Sequence, residues 1–285
     1  MPAASESVVV DAPVALAGAD AERRQPRLVK IANATWPKLL AIALFLGLWQ
    51  AVVWSGWKPE YAIPSPFTVV DVFWHERAVL WEAARTTMER ALKGYAIALV
   101  IGVTIGLLVA RSKILRAGVS SMITALQTMP SIAWFPASVV VFGLTEAAIL
   151  FVVVLGAGPS IANGVISGVD HIPPVLVRAG RVLGARGFTA VRYVLLPAAL
   201  PSFVGGMKQG WAFAWRSLLA GELIVLLGRK SLGQQLDGAR ALSNYPDMYA
   251  VMLMIFLVGL FVDAVLFGIA ERAIRRRYGL VDPAE

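Results

Sequence analysis

Three charged side chains interrupt a long apolar stretch of the chain, and their chemistry is the most informative in the sequence. Lys208, Arg216 and Glu222 lie within the segment 203–227, whose other residues are mostly apolar or small. A charge in an apolar medium costs about 2.5–3.5 kcal/mol on membrane-insertion scales and rarely occurs without a partner or a role. Lys208 and Arg216 could line a site for an anion. Alternatively, Lys208 could pair with Asp263, and Arg216 could bond to Glu222 or to a backbone carbonyl.

Other polar and aromatic side chains could contribute to the same polar path. Trp211 and Trp215 share the segment of Arg216 and could form an apolar wall beside it. In an earlier apolar segment, polar residues flank a proline, and irregular polar backbone inside a membrane is tolerated where it lines a cavity or is packed in protein. The candidate pathway residues are Gln127, Thr128, Ser131, Trp211, Trp215, Arg216 and Glu222.

The composition places these side chains in a membrane protein. Apolar residues make up 58% of the chain, charged residues only 15%, and the mean hydropathy is +0.70. Soluble domains have about half apolar and a quarter charged residues, so this chain cannot cover itself with polar surface. The chain has no cysteine and two distant histidines, His75 and His171, so a disulfide framework is excluded and we expect no metal site.

The length of the apolar blocks predicts an all-α integral membrane protein with about six transmembrane helices. The predicted spans are 39–54, 95–110, 119–142, 147–167, 203–227 and 250–269. The mixed stretch 71–90 predicts an amphipathic helix at the membrane surface or a solvated helix outside it. Small residues between Gly156 and Gly164 favour close packing of the fourth span. We expect 1–35 to be a disordered cytoplasmic tail and 36–280 to form the membrane domain.

The distribution of basic residues orients these spans. If the N-terminus is cytoplasmic, the inner segments hold 16 of the 26 Lys and Arg residues and the outer segments hold 8. Cytoplasmic loops carry an excess of Lys and Arg, so we expect both termini on the cytoplasmic side. The net charge of +8 is then a topology signal, and we expect no nucleic-acid partner.

The segment 168–198 interrupts the hydropathy between the fourth and fifth spans with prolines and arginines. Pro173 and Pro174 suit the start of a short helix, because proline in the first turn sacrifices no helical hydrogen bond. This helix would stop near Gly184, and a second short helical piece would follow before the chain returns to the membrane. Hydropathy alone is also consistent with an ordinary loop.

The end of this segment has a defined spacing. Gly184 is followed, after nine residues, by the run from Val194 to Pro197. This spacing resembles the signature loop of bacterial ABC importer permeases, which reads Glu-Ala-Ala, three residues, Gly, nine residues, then Ile-x-Leu-Pro. Arg178 stands where the family has Glu, and Gly180 stands where it has the second Ala.

Further motifs lie in and after the last two spans. They are Ala214-Trp215-Arg216-Ser217, Ala220-Gly221-Glu222-Leu223-Ile224, Gly259-Leu260 with Asp263, and Glu271-Arg272 with 275–277. These motifs are similar to those of the family branch that handles nitrate, sulfonate and taurine. The likeness covers about 36 to 280. It implies a permease that moves a small anion across the bacterial cytoplasmic membrane by alternating access.

The resemblance also implies the partners. Permeases of this family work as dimers, here a homodimer, with a substrate-binding protein and ATPase subunits. The loop between spans 4 and 5 would be the cytoplasmic coupling-helix loop that seats on the ATPase. Its implied coupling residues are Arg178, Ala179, Gly180, Arg181, Gly184, Ala185, Leu196 and Pro197. The chain has no Gly-x-x-x-x-Gly-Lys-Ser/Thr phosphate-binding loop, so ATP and Mg²⁺ would bind to the partner ATPase.

Two other function classes fit the sequence less well. A self-sufficient channel or secondary transporter would need an ion-coupling site or internal repeats, and the sequence has no internal repeat. A membrane enzyme would need a catalytic set of side chains, and His171 beside Asp170 is too little. We therefore expect a transporter subunit without catalytic residues of its own.

Overall fold

The computed structural model describes residues 27–225, 228 and 230–277. Every regular element in this part of the chain is a helix, which confirms the predicted all-α class. Most of the predicted disordered tail, 1–26, and the last two residues of the predicted fifth span, 226–227, lie outside the described residues. The chain divides into one unit formed by 1–57 with 281–285 and a second unit formed by 58–280.

The described residues of the first unit, 27–57, form one long helix and a short following segment. Helix α1 (Arg27–Trp54) begins before residue 36, where the sequence analysis started the membrane domain. Its apolar part, Thr35–Trp54, is long and apolar enough to cross a membrane. Pro37 lies inside the helix, ten residues after its start, where it removes one backbone hydrogen bond of the helix.

The second unit begins with two helices where the sequence predicted one amphipathic helix at 71–90. Helix α2 (Pro66–His75) starts at a Ser65 cap, whose Oγ accepts a hydrogen bond from the Thr68 amide at 3.2 Å. Helix α3 (Arg77–Arg111) then runs for 35 residues through the predicted second span. The predicted boundary is wrong because Gly94, which could end a helix at the change from charged to apolar residues, instead lies inside the helix and packs against Val153.

The third predicted span, 119–142, is broken. Helix α4 (Lys113–Thr128) and the segment Ser131–Phe142 meet at an angle of 100°. That segment consists of a 3₁₀ turn (Ser131–Trp134) and helix α5 (Phe135–Phe142). Pro130 lacks a backbone donor and forces the preceding residue out of the helical region, and Met129 is extended at φ −80° and ψ 129°.

Helix α6 (Glu146–Asp170) packs along helix α9 (Leu196–Ile224) in the core of the second unit. The two backbones approach closely at Gly164 and Gly206, because a Cβ built on Gly164 would lie 2.6 Å from the Gly206 Cα. Most of α6 from Ala157 to Gly168 is buried. The close packing predicted for the fourth span is therefore confirmed.

Between α6 and α9, the chain forms the compact helical loop that the sequence predicted. Helix α7 (Pro174–Val182) is followed by a single turn, α8 (Gly187–Ala190). A π-helical turn, Val191–Leu195, then leads directly into α9. Pro197 sits in the first turn of α9, where the missing amide donor is tolerated.

The chain ends with helix α10 (Leu232–Ala241), helix α11 (Tyr245–Phe261), a π-helical turn (Val262–Phe267) and helix α12 (Gly268–Arg277). Four described helical stretches could cross a membrane by length and apolarity, and the bent α4–α5 pair would make a fifth. Helix α9 has 29 residues, and its three charges lower its apolarity. With α9 included, the architecture is the predicted six-span membrane fold.

Candidate functional site

A buried ion pair joins helices α3 and α9. Arg90 Nη1 donates to Glu222 Oε1 at 2.9 Å, and the two side chains are 5% and 0% exposed. The second carboxylate oxygen of Glu222 accepts from Thr87 Oγ1 at 2.9 Å and from the Gly233 amide at 3.2 Å. These donors compensate the carboxylate for its lost water, as a buried charge requires.

The same network fixes the start of helix α10. Thr87 Oγ1 also accepts from the Leu232 amide at 2.9 Å, while Ser231 caps the helix. The Gln234 side chain donates to the Val225 carbonyl at 3.0 Å. These hydrogen bonds connect α3, α9 and α10 at the C-terminal end of α9. Each buried polar group in the network has a partner.

This geometry corrects the predicted partner of Arg216. Glu222 pairs with Arg90, and the Arg216–Glu222 pair is wrong because residues six positions apart lie on different faces of a helix. Arg216 is exposed, its Nε donates to the Ala212 carbonyl at 3.0 Å, and its guanidinium lies 4.8 Å from the centre of the Phe213 ring. The alternative bond to a backbone carbonyl is the one observed.

The two tryptophans of α9 also face the core. Trp211 and Trp215 are 5% and 8% exposed, and their rings stack with centroids 6.3 Å apart. Trp211 makes a further edge-to-face contact with Tyr95 at 5.3 Å. They therefore form no wall on the exposed side of Arg216, and Trp211, Trp215 and Glu222 all lie on the buried side of α9.

Lys208 is neutralised within the chain. Its Nζ lies 3.5 Å from Asp263 Oδ1 and 3.5 Å from Glu271 Oε1. Asp263 was a candidate partner from its depth along the last span, whereas nothing in the sequence indicated Glu271. Asp263 lies in the π-helical turn and Glu271 in α12, so Lys208 joins α9 to both elements.

The polar residues around Pro130 meet the core at the bend between α4 and α5. Gln127 Nε2 donates to Ser160 Oγ at 3.2 Å, and the Ser131 and Ser217 hydroxyls form a hydrogen bond. Thr128 bonds only to the Ala125 carbonyl among these residues and is exposed. The structure thus brings Gln127 and Ser131 onto α6 and α9 and leaves Thr128 outside the cluster.

One face of α9 remains uncovered within the second unit. Gly205, Gln209, Ala212 and Arg216 follow each other at intervals of four, three and four residues, and all are exposed. This spacing places them on one side of the helix. We call these four residues the open face of α9. Sequence reasoning missed Gln209, although its helical spacing from Arg216 was visible.

The loop between α6 and α9 is locked by its backbone. Gly184 has φ +80°, and the Gly184 and Ala185 amides donate to the Arg181 and Gly180 carbonyls, which forms a Schellman end to α7. Gly180 is buried against the loop's last turn, because a Cβ on Gly180 would lie 2.8 Å from Val194 Cγ2.

The other predicted coupling residues lie on or near the surface of this loop. Arg178, Ala179, Arg181, Gly184 and Leu196 are exposed, and Ala185 and Pro197 are half-buried. Arg181 and Arg186 border a cleft of about 500 Å³ whose walls include Val177 and Val194. Across the described residues, no group of three or more His, Cys, Asp or Glu side chains could hold a metal ion.

The buried pair yields a testable stability difference. We expect Arg90→Met to destabilise the protein by about 3–5 kcal/mol, because it leaves the Glu222 carboxylate buried without its counterion. We expect the Arg90→Met/Glu222→Gln double variant to recover much of this loss. The measurement is a double-mutant cycle of the two single variants and the double variant. Thermal unfolding in detergent is monitored by tryptophan fluorescence.

Lys93→Met is the matched control, because Lys93 pairs with Glu146 at 3.2 Å on the surface. An exposed pair of this kind contributes about 0–1 kcal/mol. Equal losses in Arg90→Met and Lys93→Met would contradict the assignment of a structural role to the buried pair.

Similarity to known proteins identifies the family to which the chain belongs. Residues 98–277 match the family described as "Binding-protein-dependent transport system inner membrane component". A riboflavin transport system permease protein from Chloroflexus aurantiacus is 30% identical over 260 residues, covering 89% of this chain and 96% of that protein. A nitrate import permease protein from Leptolyngbya laminosa is 28% identical over 251 residues, covering 84% and 87%.

The fold matches as well. A solved structure of the MetNI methionine ABC transporter in inward-facing conformations has a TM-score of 0.55 and 24% sequence identity, covering 69% of this chain and 93% of that one. The relatives are permease subunits, not enzymes, and the ATPase of such a system is a separate chain. The solved structure shows the same fold. The chain therefore belongs to the binding-protein-dependent transport system inner membrane components, as a multi-pass permease subunit of an ABC importer.

Proposed function

We propose that the chain carries a small anion, such as nitrate, taurine or another sulfonate, along the open face of α9. The observation that carries this proposal is the position of Arg216. This arginine lies on an exposed face of a long helix, and no described carboxylate forms an ion pair with it. A guanidinium offers a fork of donors that suits planar and tetrahedral oxyanions.

The rest of the open face supports the same substrate class. Gln209 adds amide donors two turns from Arg216, and Ala212 leaves room for a small solute between these two side chains. Thr128, exposed at the end of α4, is a further candidate. The nitrate relative is consistent with an anion, whereas the riboflavin relative shows that related permeases differ in substrate.

The importer is driven from the loop between α6 and α9. We assign the coupling role to Arg178, Ala179, Gly180, Arg181, Gly184, Ala185, Leu196 and Pro197, which would transmit closure of the ATPase subunits to α9 through the continuous π-helical turn. ATP and Mg²⁺ would bind to those subunits. The excess of basic residues in this loop supports a cytoplasmic position for the loop and for both termini. The substrate-binding protein would then dock on the opposite side of the bilayer.

Uptake measurements test the role of Arg216. In proteoliposomes that contain the assembled importer, we expect Arg216→Gln to reduce ATP-driven uptake of the transported anion by about 10- to 100-fold. This range corresponds to the loss of a hydrogen bond to a charged group, about 1.5–3 kcal/mol. Nitrate and taurine are the two anions to be supplied.

Arg240→Gln is the control, because Arg240 is an exposed arginine that pairs with Asp237 at 2.7 Å within α10. It should transport normally, and both variants should assemble with the ATPase. Normal uptake by an assembled Arg216→Gln importer would end the substrate role of this arginine.

A second copy of this chain would complete the pathway as a homodimer. The open face lines only one side of a path, and its small residues allow a second copy to approach. The chain has no natural cysteine, so single cysteines report specific contacts. We expect Ala212→Cys in two differently tagged copies to crosslink with a short bismaleimide.

Ala214→Cys, two residues further along α9 and fully buried, is the negative control. Crosslinks that join Ala212→Cys only to a different permease chain would show a heterodimer and overturn the homodimer.

A further inference from the structure

The side chain of Arg216 is fixed by its own helix. Its Nε donates to the Ala212 carbonyl at 3.0 Å, one turn earlier in α9. The Ser217 Oγ donates to the next carbonyl, that of Phe213, at 2.7 Å, and Ser217 is itself buried and bonded to Ser131. The carbonyl that holds Arg216 therefore belongs to a turn of α9 that is anchored in the core.

This hydrogen bond leaves one edge of the guanidinium for a ligand. A guanidinium can bind two oxygens of an anion through Nε and one Nη, or end-on through both Nη atoms. In Arg216 the Nε is already bonded, so the first arrangement is closed. Among the described residues, no acceptor bonds either Nη atom of Arg216. The end-on edge is therefore open to a ligand.

The aromatic ring of Phe213 holds the plane of this guanidinium. The Arg216 Cζ lies 4.8 Å from the centre of the ring, within the range of a cation–π contact. The two residues are three positions apart and are therefore neighbours on the helix surface. Phe213 is half-buried, but it is not one of the described side chains that pack against the main apolar core. Its contact with Arg216 therefore explains the ring better than core packing does.

We propose that Phe213 is a positioning residue for the transported anion. It holds the guanidinium of Arg216 in one plane, so that the two Nη atoms present a fixed pair of donors to two oxygens of one anion. This inference rests on the proposed role of Arg216 and adds the residue that orients it. A fixed fork favours such an anion over chloride, whose single acceptor atom cannot make two parallel hydrogen bonds.

This role predicts an effect that a merely supporting residue would not have. Without the ring, the guanidinium rotates about its side-chain bonds, and binding an anion must then fix it again. Nitrate, which uses both donors at once, loses more affinity than chloride does. A residue that only supports the fold would change the amount of folded importer and leave the preference for nitrate over chloride unchanged.

Protection of a cysteine from alkylation tests the proposal in the assembled importer. Ala212→Cys places a thiol beside the guanidinium of Arg216, and the chain has no natural cysteine. The importer, in phosphatidylcholine nanodiscs without ATP, reacts with the neutral reagent N-ethylmaleimide at constant ionic strength. Nitrate, methanesulfonate or chloride is added. The measurement is the concentration of each anion that halves the rate of alkylation, followed on the permease chain by mass spectrometry.

We expect nitrate and methanesulfonate to protect the thiol at lower concentrations than chloride. Phe213→Leu should raise the half-protecting concentration of nitrate by about 2- to 5-fold, as expected for the loss of a cation–π contact, and should narrow the preference over chloride. Phe213→Tyr keeps the ring and should keep both values. Phe203→Leu is the matched control, because Phe203 is a half-buried residue of α9 that packs against the core, and it should also keep both values.

The outcomes separate this proposal from the proposed pathway. If Phe213→Leu leaves nitrate protection and the preference over chloride unchanged, the positioning role is overturned and the anion site at Arg216 stands. A loss in Phe213→Tyr as large as that in Phe213→Leu would also overturn it, because the ring would then not be the cause. If no anion protects the thiol while Phe213 and Arg216 are both present, the pathway and the positioning role fail together.

Discussion

The Arg90–Glu222 ion pair connects two helices through residues 132 positions apart in the chain, and the surrounding protein removes it almost completely from solvent. Breaking such a pair leaves a bare charge in a medium of low polarity, which costs several kcal/mol. The pair therefore holds one face of α9 toward α3. Thr87 and the amides at the start of α10 extend this hold to a third helix.

The rotation of α9 about its own axis follows from this constraint. With Glu222 directed inward, Trp211, Trp215 and Leu218 also face the core. The close contact of Gly206 with Gly164 fixes the same orientation nearer the N-terminal end of α9. Arg216 is then forced to the opposite side. The π-helical turn joins this oriented helix to α8, so under the proposed coupling role a displacement of the loop would reach the open face.

The sequence predicted the helical class, the approximate positions of the spans and the compact loop, and it offered the Lys208–Asp263 pair as one of two alternatives, because hydropathy, proline placement and depth along a helix are local properties. It offered Arg216 as one possible partner of Glu222 and missed Arg90, because Arg90 lay in a stretch interpreted as a surface helix. It also kept the third span unbroken, although Pro130 carries the physical reason for the bend. Which side of α9 is buried depends on its contacts with α3 and α6. No local sequence pattern within α9 predicts these contacts.

The most direct test of this orientation is thiol accessibility on α9 in the assembled importer, measured with a charged, membrane-impermeant maleimide on single cysteines. The account predicts that Gln209→Cys reacts and that Leu218→Cys, at a position fully buried in the structure, does not. Adding Arg90→Met should make Leu218→Cys reactive, because the buried pair holds that face inward. Reactivity of Leu218→Cys equal to that of Gln209→Cys in the otherwise unaltered chain would contradict the account.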